Sequence, residues 1–376
     1  MSRTDDPNSV PLATDARGTK DLVSSLVRPE IRALSAYHVP DARGMIKLDA
    51  MENPYRLPEA VVAQWLEVLR NVELNRYPDP DAAALKKALH AAMSVPRRSA
   101  LLLGNGSDEL IQMVMMAIAA PRRVVLSVEP GFVMYRMLAV ACGMKYIGAP
   151  LQADFSLDMP ALTEAIRVHA PAVIFLAYPN NPTGNLFDAE QVHDIIAAAP
   201  GLVVIDEAYH AFAESSFMGA LGEYRNLLVM RTLSKVGLAG LRLGMLAGAP
   251  PWLDELNKVR LPYNINALTQ ASAEFALRHQ AVFDEQTHAV CEQRDALLAT
   301  LADIEGIEPY PSRANFILFR VSEGGAGEVF AALQEQGVLI KNLDPAGGML
   351  RGCLRVTVGT PEENQVFVAA LRTALA

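Results

Sequence analysis

Leu202-Val203-Val204-Ile205-Asp206-Glu207-Ala208-Tyr209 sets four apolar residues, three of them β-branched, directly before two carboxylates and a phenol. So short and evenly apolar a run is the pattern of a strand buried on both faces of a mostly parallel sheet; a half-exposed strand would alternate apolar with polar residues. Similar runs occur at Val124-Val125-Leu126-Ser127-Val128, Ala172-Val173-Ile174-Phe175-Leu176 and Leu227-Leu228-Val229-Met230, with helical patterns between them. Strands alternating with crossover helices predict an α/β fold with a mostly parallel sheet and helices on both faces, spanning about Leu101 to Gly248. Ligands of such sheets collect beyond the carboxyl ends of the strands, so a site is expected in the residues directly after each run.

Outward from this core the pattern changes. A mainly helical stretch runs from Pro251 to about Ala302, and strand-like Asn315–Phe319 and Leu354–Val358 flank a helical Ala326–Gln336. A chain of 376 residues exceeds what one hydrophobic core usually serves. The expected division is a large domain over 71–270 and a smaller α+β domain over 271–376, the latter joined by an N-terminal segment over 29–70. Residues 1–28, polar and rich in Asp, Thr, Pro and Gly at their start, are expected to form an unstructured tail without the apolar core of a secretory signal.

Composition narrows the function classes. Apolar residues make up 51% and charged residues 20%, and the formal net charge is -9. No Lys/Arg run offers a polyanion track, so nucleic acid is not an expected partner. No apolar stretch reaches the roughly 18 residues that suggest a membrane span. The three cysteines, Cys142, Cys291 and Cys353, are far apart and lack Cys-x-x-Cys spacing, which reads as reduced thiols in a cytosolic protein and not as a metal site.

Four polar segments stand at strand ends. Gly104-Asn105-Gly106-Ser107-Asp108-Glu109 opens a helical pattern, and a glycine turn entering a helix presents free N–H groups to a phosphate; an ordinary N-cap fits it as well. Tyr178-Pro179-Asn180-Asn181-Pro182-Thr183-Gly184 reads either as a turn or as a placement of the Asn181 amide toward a ligand. Asp206, at the end of an apolar strand, needs a cationic partner, for which a protonated pyridine nitrogen would serve. Arg231-Thr232-Leu233-Ser234-Lys235, followed by Gly237-Leu238-Ala239-Gly240-Leu241-Arg242, places a lysine among small residues, where desolvation would free its amine as nucleophile and base; alone, such a lysine is more often a solvated surface residue. Chance rarely arranges all four in order, each after its own strand.

With these motifs the sequence resembles the fold-type I, aspartate-aminotransferase-like enzymes of pyridoxal 5′-phosphate (PLP), and within them the histidinol-phosphate aminotransferases, from about Pro29 to the C-terminus. Asn-Asn-Pro-Thr-Gly at 180–184 and Ser-Lys-x-Gly-Leu-Ala-Gly-Leu-Arg at 234–242 carry the resemblance most strongly. It implies that Lys235 holds PLP as a Schiff base and moves the proton, that Asp206 keeps the ring nitrogen protonated, and that Tyr209 and Asn181 bond the ring's O3′. It further implies that Phe132, in Glu129-Pro130-Gly131-Phe132, stacks on the ring. Gly106, Ser107, Asp108, Thr232, Ser234 and Arg242 line the cofactor and its phosphate. Tyr77 reaches the cofactor of a neighbouring subunit, which makes the expected assembly a homodimer with shared sites. On the substrate side it points to Arg355 as the grip on a carboxylate or phosphate, helped by Tyr37, Asn53, Asn181 and Lys341; plain packing serves Tyr37 and Asn53 equally well.

The sequence departs from the family pattern in three places. Lys341 stands where some members carry a second arginine, the spacing from Lys235 to Arg242 is one residue shorter than in many relatives, and Met245 replaces a common tyrosine. The function implied is amino transfer between L-histidinol phosphate and 2-oxoglutarate in histidine biosynthesis. The competing readings are an aromatic-amino-acid aminotransferase and a threonine-phosphate decarboxylase-like enzyme. A PLP-fold regulator would need an N-terminal helix-turn-helix, for which the segment before Pro29 is too short and polar. A dinucleotide oxidoreductase would need the third glycine that Gly104-Asn105-Gly106 lacks.

Overall fold

A computed structural model describes residues 16–36, 39–322 and 325–376. The chain divides into two units, Met1–Pro40 and Asp41–Ala376. In the first, Ala16–Leu26 and Pro29–Arg32 are helical. The expected unstructured tail is therefore corrected over residues 16–26: Leu22, Val23 and Leu26 fall at helical spacing and give that segment an apolar stripe, which the polar residues before it conceal from a reading of composition alone.

Among its described residues the second unit holds three sheets. Its strands are β1 (Ile46–Lys47), β2 (Ala100–Asn105), β3 (Val124–Glu129), β4 (Lys145–Pro150), β5 (Val173–Ala177), β6 (Leu202–Asp206) and β7 (Leu227–Thr232). They continue with β8 (Leu243–Gly248), β9 (Ile307–Pro309), β10 (Phe316–Val321), β11 (Val338–Leu339), β12 (Lys341–Asn342) and β13 (Cys353–Thr357). The central sheet has the order β2-β8-β7-β6-β5-β3-β4. Only β8 runs against its neighbours, pairing antiparallel with both β2 and β7. The carboxyl ends of β2, β3, β5, β6 and β7 therefore share one edge.

Alternation along each strand feeds two cores. Ile174, Leu176, Val203, Ile205 and Val229 pack on one side with Leu85, Leu89, Val192 and Ile195. Val173, Phe175, Leu202, Val204, Leu228 and Met230 pack on the other with Leu110, Met113, Tyr135 and Leu253. Each such side chain taken out of water contributes roughly 1.5–3 kcal/mol, which is why the strands read as unbroken apolar runs.

The smaller antiparallel sheet, β12-β13-β10-β9, rests one face on the helices Gln280–Ala302, Ala326–Glu335 and Pro361–Leu375 through Ile317, Phe319, Leu354, Val356, Leu301, Leu333 and Phe367. The period of two then puts Arg355 on the opposite face. β1 pairs in parallel with β11, so residues 46–47 join the C-terminal part of the chain. The helical stretch expected after Pro251 is three helices, Pro250–Asn257, Ala267–Arg278 and Gln280–Ala302; Asn266 caps the second by accepting from the Thr269 N–H at 2.8 Å.

Beside β6 lies a buried ion pair. Glu207, fully buried, accepts from Arg231 Nε at 2.8 Å, from Ser216 Oγ at 2.9 Å and from the Phe217 N–H at 2.5 Å. Arg231→Ala would strand that carboxylate without its cation. We expect a loss of about 3–5 kcal/mol in urea unfolding, and a smaller one for Arg231→Met combined with Glu207→Leu.

Candidate active site

The residues after β2, β3, β5, β6 and β7 converge on one cleft, lined by Ser107, Asp108, Phe132, Asn181, Asp206, Tyr209, Thr232, Ser234, Lys235 and Arg242, together with Met51, Ala177 and Ala208. Asp206 is the last residue of β6 and is 3% exposed. Its Oδ2 accepts from the Tyr135 hydroxyl at 2.7 Å and its Oδ1 from the Ala208 N–H at 3.1 Å. Burial pushes its pKa up to about 6, against the pull of those two hydrogen bonds.

Lys235 lies in a single 3-10 turn, Ser234–Val236, directly beyond β7. Its Nζ donates to the carbonyl of Ala50 at 3.2 Å and stands 5.7 Å from the centre of the Tyr209 ring. Burial, followed by the nearby charge of Arg355, lowers its pKa to about 8. Near neutral pH the neutral amine is therefore far more populated than in an ordinary lysine.

At the start of the helix Ser107–Ile118, Gly106 adopts a φ of +86° and a side chain there would meet Arg242 Nη2 at 2.5 Å. Gly244 in β8 is needed for the same turn, because a Cβ on it would lie 2.8 Å from the Ser107 nitrogen. Arg242, itself left-handed at φ 50°, lies 3.8 Å from Asp108 and 3.5 Å from Ser234 Oγ. Asp108 has a raised pKa because burial outweighs the attraction of Arg242 and Lys235, and its Oδ1 has no hydrogen-bond partner.

Facing this edge is Arg355, whose Nη1 donates to Asn181 Oδ1 at 2.5 Å and Nη2 to the Asp49 carbonyl at 3.1 Å. Asn181 in turn donates through Nδ2 to the Tyr209 oxygen at 3.1 Å. Lys341 is the cross-strand partner of Arg355, so two cations share one sheet face. Met51, at a φ of 54°, is pinned by Thr357 and Asn315, and its sulfur accepts from the Tyr209 hydroxyl at 3.4 Å.

Asn53 turns its amide to Gln286 at 3.2 Å, and Tyr77 is 81% exposed, stacked on Tyr263 at 4.5 Å. Tyr37 lies outside the described residues. The sequence reading missed Tyr135, Met51 and Gly244. Only Tyr135 left a signal, standing one helical turn beyond Phe132.

These groups fit a phosphorylated pyridine aldehyde. A glycine turn at a helix N-terminus with an arginine beside it suits the phosphate, and a buried carboxylate suits a ring cation. A desolvated amine near a phenol suits the aldehyde carbon.

The sequence profile of the aminotransferase class I and II family matches residues 43–371. Histidinol-phosphate aminotransferase 2 of Nitrosococcus oceani is 57% identical over 354 residues, 94% of this chain and 98% of that protein. The histidinol-phosphate aminotransferase of Chromobacterium violaceum is 51% identical over 350 residues, 93% of this chain and 98% of the relative. Among solved structures, the histidinol-phosphate aminotransferase of Sinorhizobium meliloti in complex with pyridoxal-5′-phosphate superposes with a TM-score of 0.84 at 24% identity, covering 93% of this chain and 98% of that one. The L-threonine-O-3-phosphate decarboxylase of Porphyromonas gingivalis gives 0.75 at 23%, covering 88% and 99%. The two structural likenesses speak for the fold alone, whereas the profile and the sequence relatives decide the family: the chain belongs to the class I and II aminotransferases, in their histidinol-phosphate aminotransferase branch.

Proposed function

We propose that this protein transfers the amino group between L-histidinol phosphate and 2-oxoglutarate, with PLP as cofactor, as a step of histidine biosynthesis. The observation that carries the reading is the pairing of a buried strand-end acid, Asp206, with a pKa-lowered lysine, Lys235, in one cleft that Arg355 overlooks. When bound, the cofactor supplies an aldehyde that exchanges amino groups and a protonated ring that withdraws electrons from the carbon being deprotonated. Asp206 would hold the proton on the ring nitrogen. Lys235 Nζ, deprotonated more readily than an ordinary lysine, would attach the cofactor and later carry the proton to and from the substrate carbon. Tyr209 and Asn181 would hydrogen-bond the ring oxygen, Phe132 would cover the ring face, and Gly106, Ser107, Asp108, Thr232, Ser234 and Arg242 would hold the phosphate end.

Two substrates must use the site in turn. Arg355 would take the 2-oxoglutarate or glutamate carboxylate in one half-reaction and the histidinol phosphate dianion in the other, with Lys341 beside it supporting the doubly charged ligand. Asn53, whose amide bonds Gln286 in the single chain, would complete the substrate side. We further propose a cytoplasmic homodimer in which Tyr77 reaches the second subunit's cofactor. Its exposure, alongside that of Leu74 and Leu261, supports a covered surface there. In this arrangement residues 71–270 bear the cofactor, while 271–376 bring the substrate arginine.

Steady-state kcat/KM for histidinol phosphate should exceed that for phenylalanine and tyrosine; preference for the aromatic amino acids would overturn the substrate assignment. Lys341→Met should raise KM for histidinol phosphate by about tenfold, and KM for glutamate by less, because a dianion loses more than a monoanion. Reconstituted with PLP, the protein should absorb in the visible and retain the label at Lys235 after borohydride reduction, and Lys235→Ala should do neither.

Asp206 also couples function to stability. Its folded pKa of about 6 lies above the ordinary 3.8, so the folded state binds more protons in that window, and stability falls as pH rises through it. Without cofactor, Asp206→Asn should therefore be more stable than the parent above pH 6, on the order of 2–3 kcal/mol, with the gap closing toward pH 4. The same variant should lose nearly all transamination. Thermal unfolding across pH measures the first effect and single-turnover kinetics the second.

A further inference from the structure

We propose that Tyr135 is a positioning residue for this reaction: its phenol keeps Asp206 ionised and fixes the plane of that carboxylate. The inference rests on the reading of Asp206 as the group that holds the ring proton. Tyr135 is 1% exposed, and its hydroxyl donates to Asp206 Oδ2 at 2.7 Å. A buried phenol brings a polar group into an apolar core, and in this position its proton has the carboxylate as acceptor. The ring is held on two sides, stacked on Phe175 at 5.0 Å and 18° and edge-on to Phe132 at 5.4 Å and 86°. Phe132 and Tyr135 are three residues apart around the start of the helix Val133–Ala141, so one short segment presents both the ring cover and the acid's partner.

The surroundings of Asp206 give the phenol its weight. Asp108, from the helix Ser107–Ile118, and the adjacent Glu207 both press it toward the protonated form, as burial does. Tyr209, Lys235 and Arg242 share the cleft with it. Against those, Asp206 has the Ala208 N–H and the Tyr135 hydroxyl. A neutral Asp206 could not hold a ring proton electrostatically. Loss of the phenol would push the acid toward that neutral state at the pH where the enzyme works, because a hydrogen bond to the charged form favours it.

The test compares parent, Tyr135→Phe and Phe175→Leu. Tyr135→Phe keeps the ring and removes one oxygen, while Phe175→Leu removes the stacking partner and keeps the hydrogen bond. In Tyr135→Phe we expect the PLP dissociation constant, measured by fluorescence on the cofactor-free protein, to rise about tenfold, as loss of a hydrogen bond to a charged group implies. The acidic limb of the kcat profile should move up by about one pH unit, with KM changed less than threefold. Phe175→Leu should leave that limb where the parent has it. Tyr135→Phe with the parent's PLP affinity and limb would overturn the proposal, and so would an equal shift in Phe175→Leu, which would make the effect one of packing. A parent that takes up no PLP would instead remove the functional reading on which the proposal rests.

Discussion

A carboxylate held at the end of a strand that is buried on both faces sets conditions that much of the surrounding structure meets. Asp206 cannot be solvated, and the hydrophobic packing that defines β6 is also what makes its charge costly. The neighbouring groups offset that cost in different ways. Arg231 absorbs the adjacent Glu207 into a separate buried network, Tyr135 and the Ala208 N–H each donate to Asp206, and a ring cation would complete the set. The fold thus keeps an acid in a place where, without a ligand, burial presses it toward its neutral form, and the proposed chemistry draws on that unfilled demand.

The second constraint is the meeting of two sheets. The central sheet delivers Lys235, Asp206, Tyr209 and Asn181 to one edge, and the smaller sheet delivers Arg355 to the same place. Arg355 arrives because Leu354 and Val356, its neighbours in β13, are buried in the opposite core. Residues 49–51 join the two: the Asp49 carbonyl accepts from Arg355, the Ala50 carbonyl from Lys235, and the Met51 sulfur from Tyr209. A slip of one residue in β13 would exchange a core leucine for the arginine, so register in the small sheet and charge at the site are one requirement.

How much of this could be read from the sequence follows from what kind of interaction made each part. β3, β5, β6 and β7 were readable because burial on both faces leaves an unmistakable apolar run. β8 was not, since Leu243-Gly244-Met245-Leu246-Ala247-Gly248 carries glycines that serve the Gly106 turn and dilute the pattern. Exposed β4, with Lys145 and Gly148, was hidden for the opposite reason, having one side in solvent. In the cleft, the residues found in advance were those on motifs local to a strand end. Tyr135 and Met51 came from a helix turn and from an N-terminal segment 158 residues before Tyr209, and only tertiary structure brings them to the site. Asn53 and Tyr77, expected from resemblance alone, face Gln286 and Tyr263 in the single chain.

Asn181 sits where these two sheets touch, and an amide has a direction. Its oxygen takes the Arg355 proton while its nitrogen gives one to Tyr209. Turned over, it would set N–H against guanidinium and oxygen against a phenol whose own proton is already directed at Met51. The side chain is therefore held in a single orientation by its two neighbours, like a key cut on both edges. An aspartate in its place could keep the arginine but could only accept from the phenol, drawing its proton away from Met51, and a leucine of similar size would sever both. A position that looks from the sequence like one more turn residue is thus the point at which the grip on substrate and the hydrogen bonding of Tyr209 are expressed through the same three atoms.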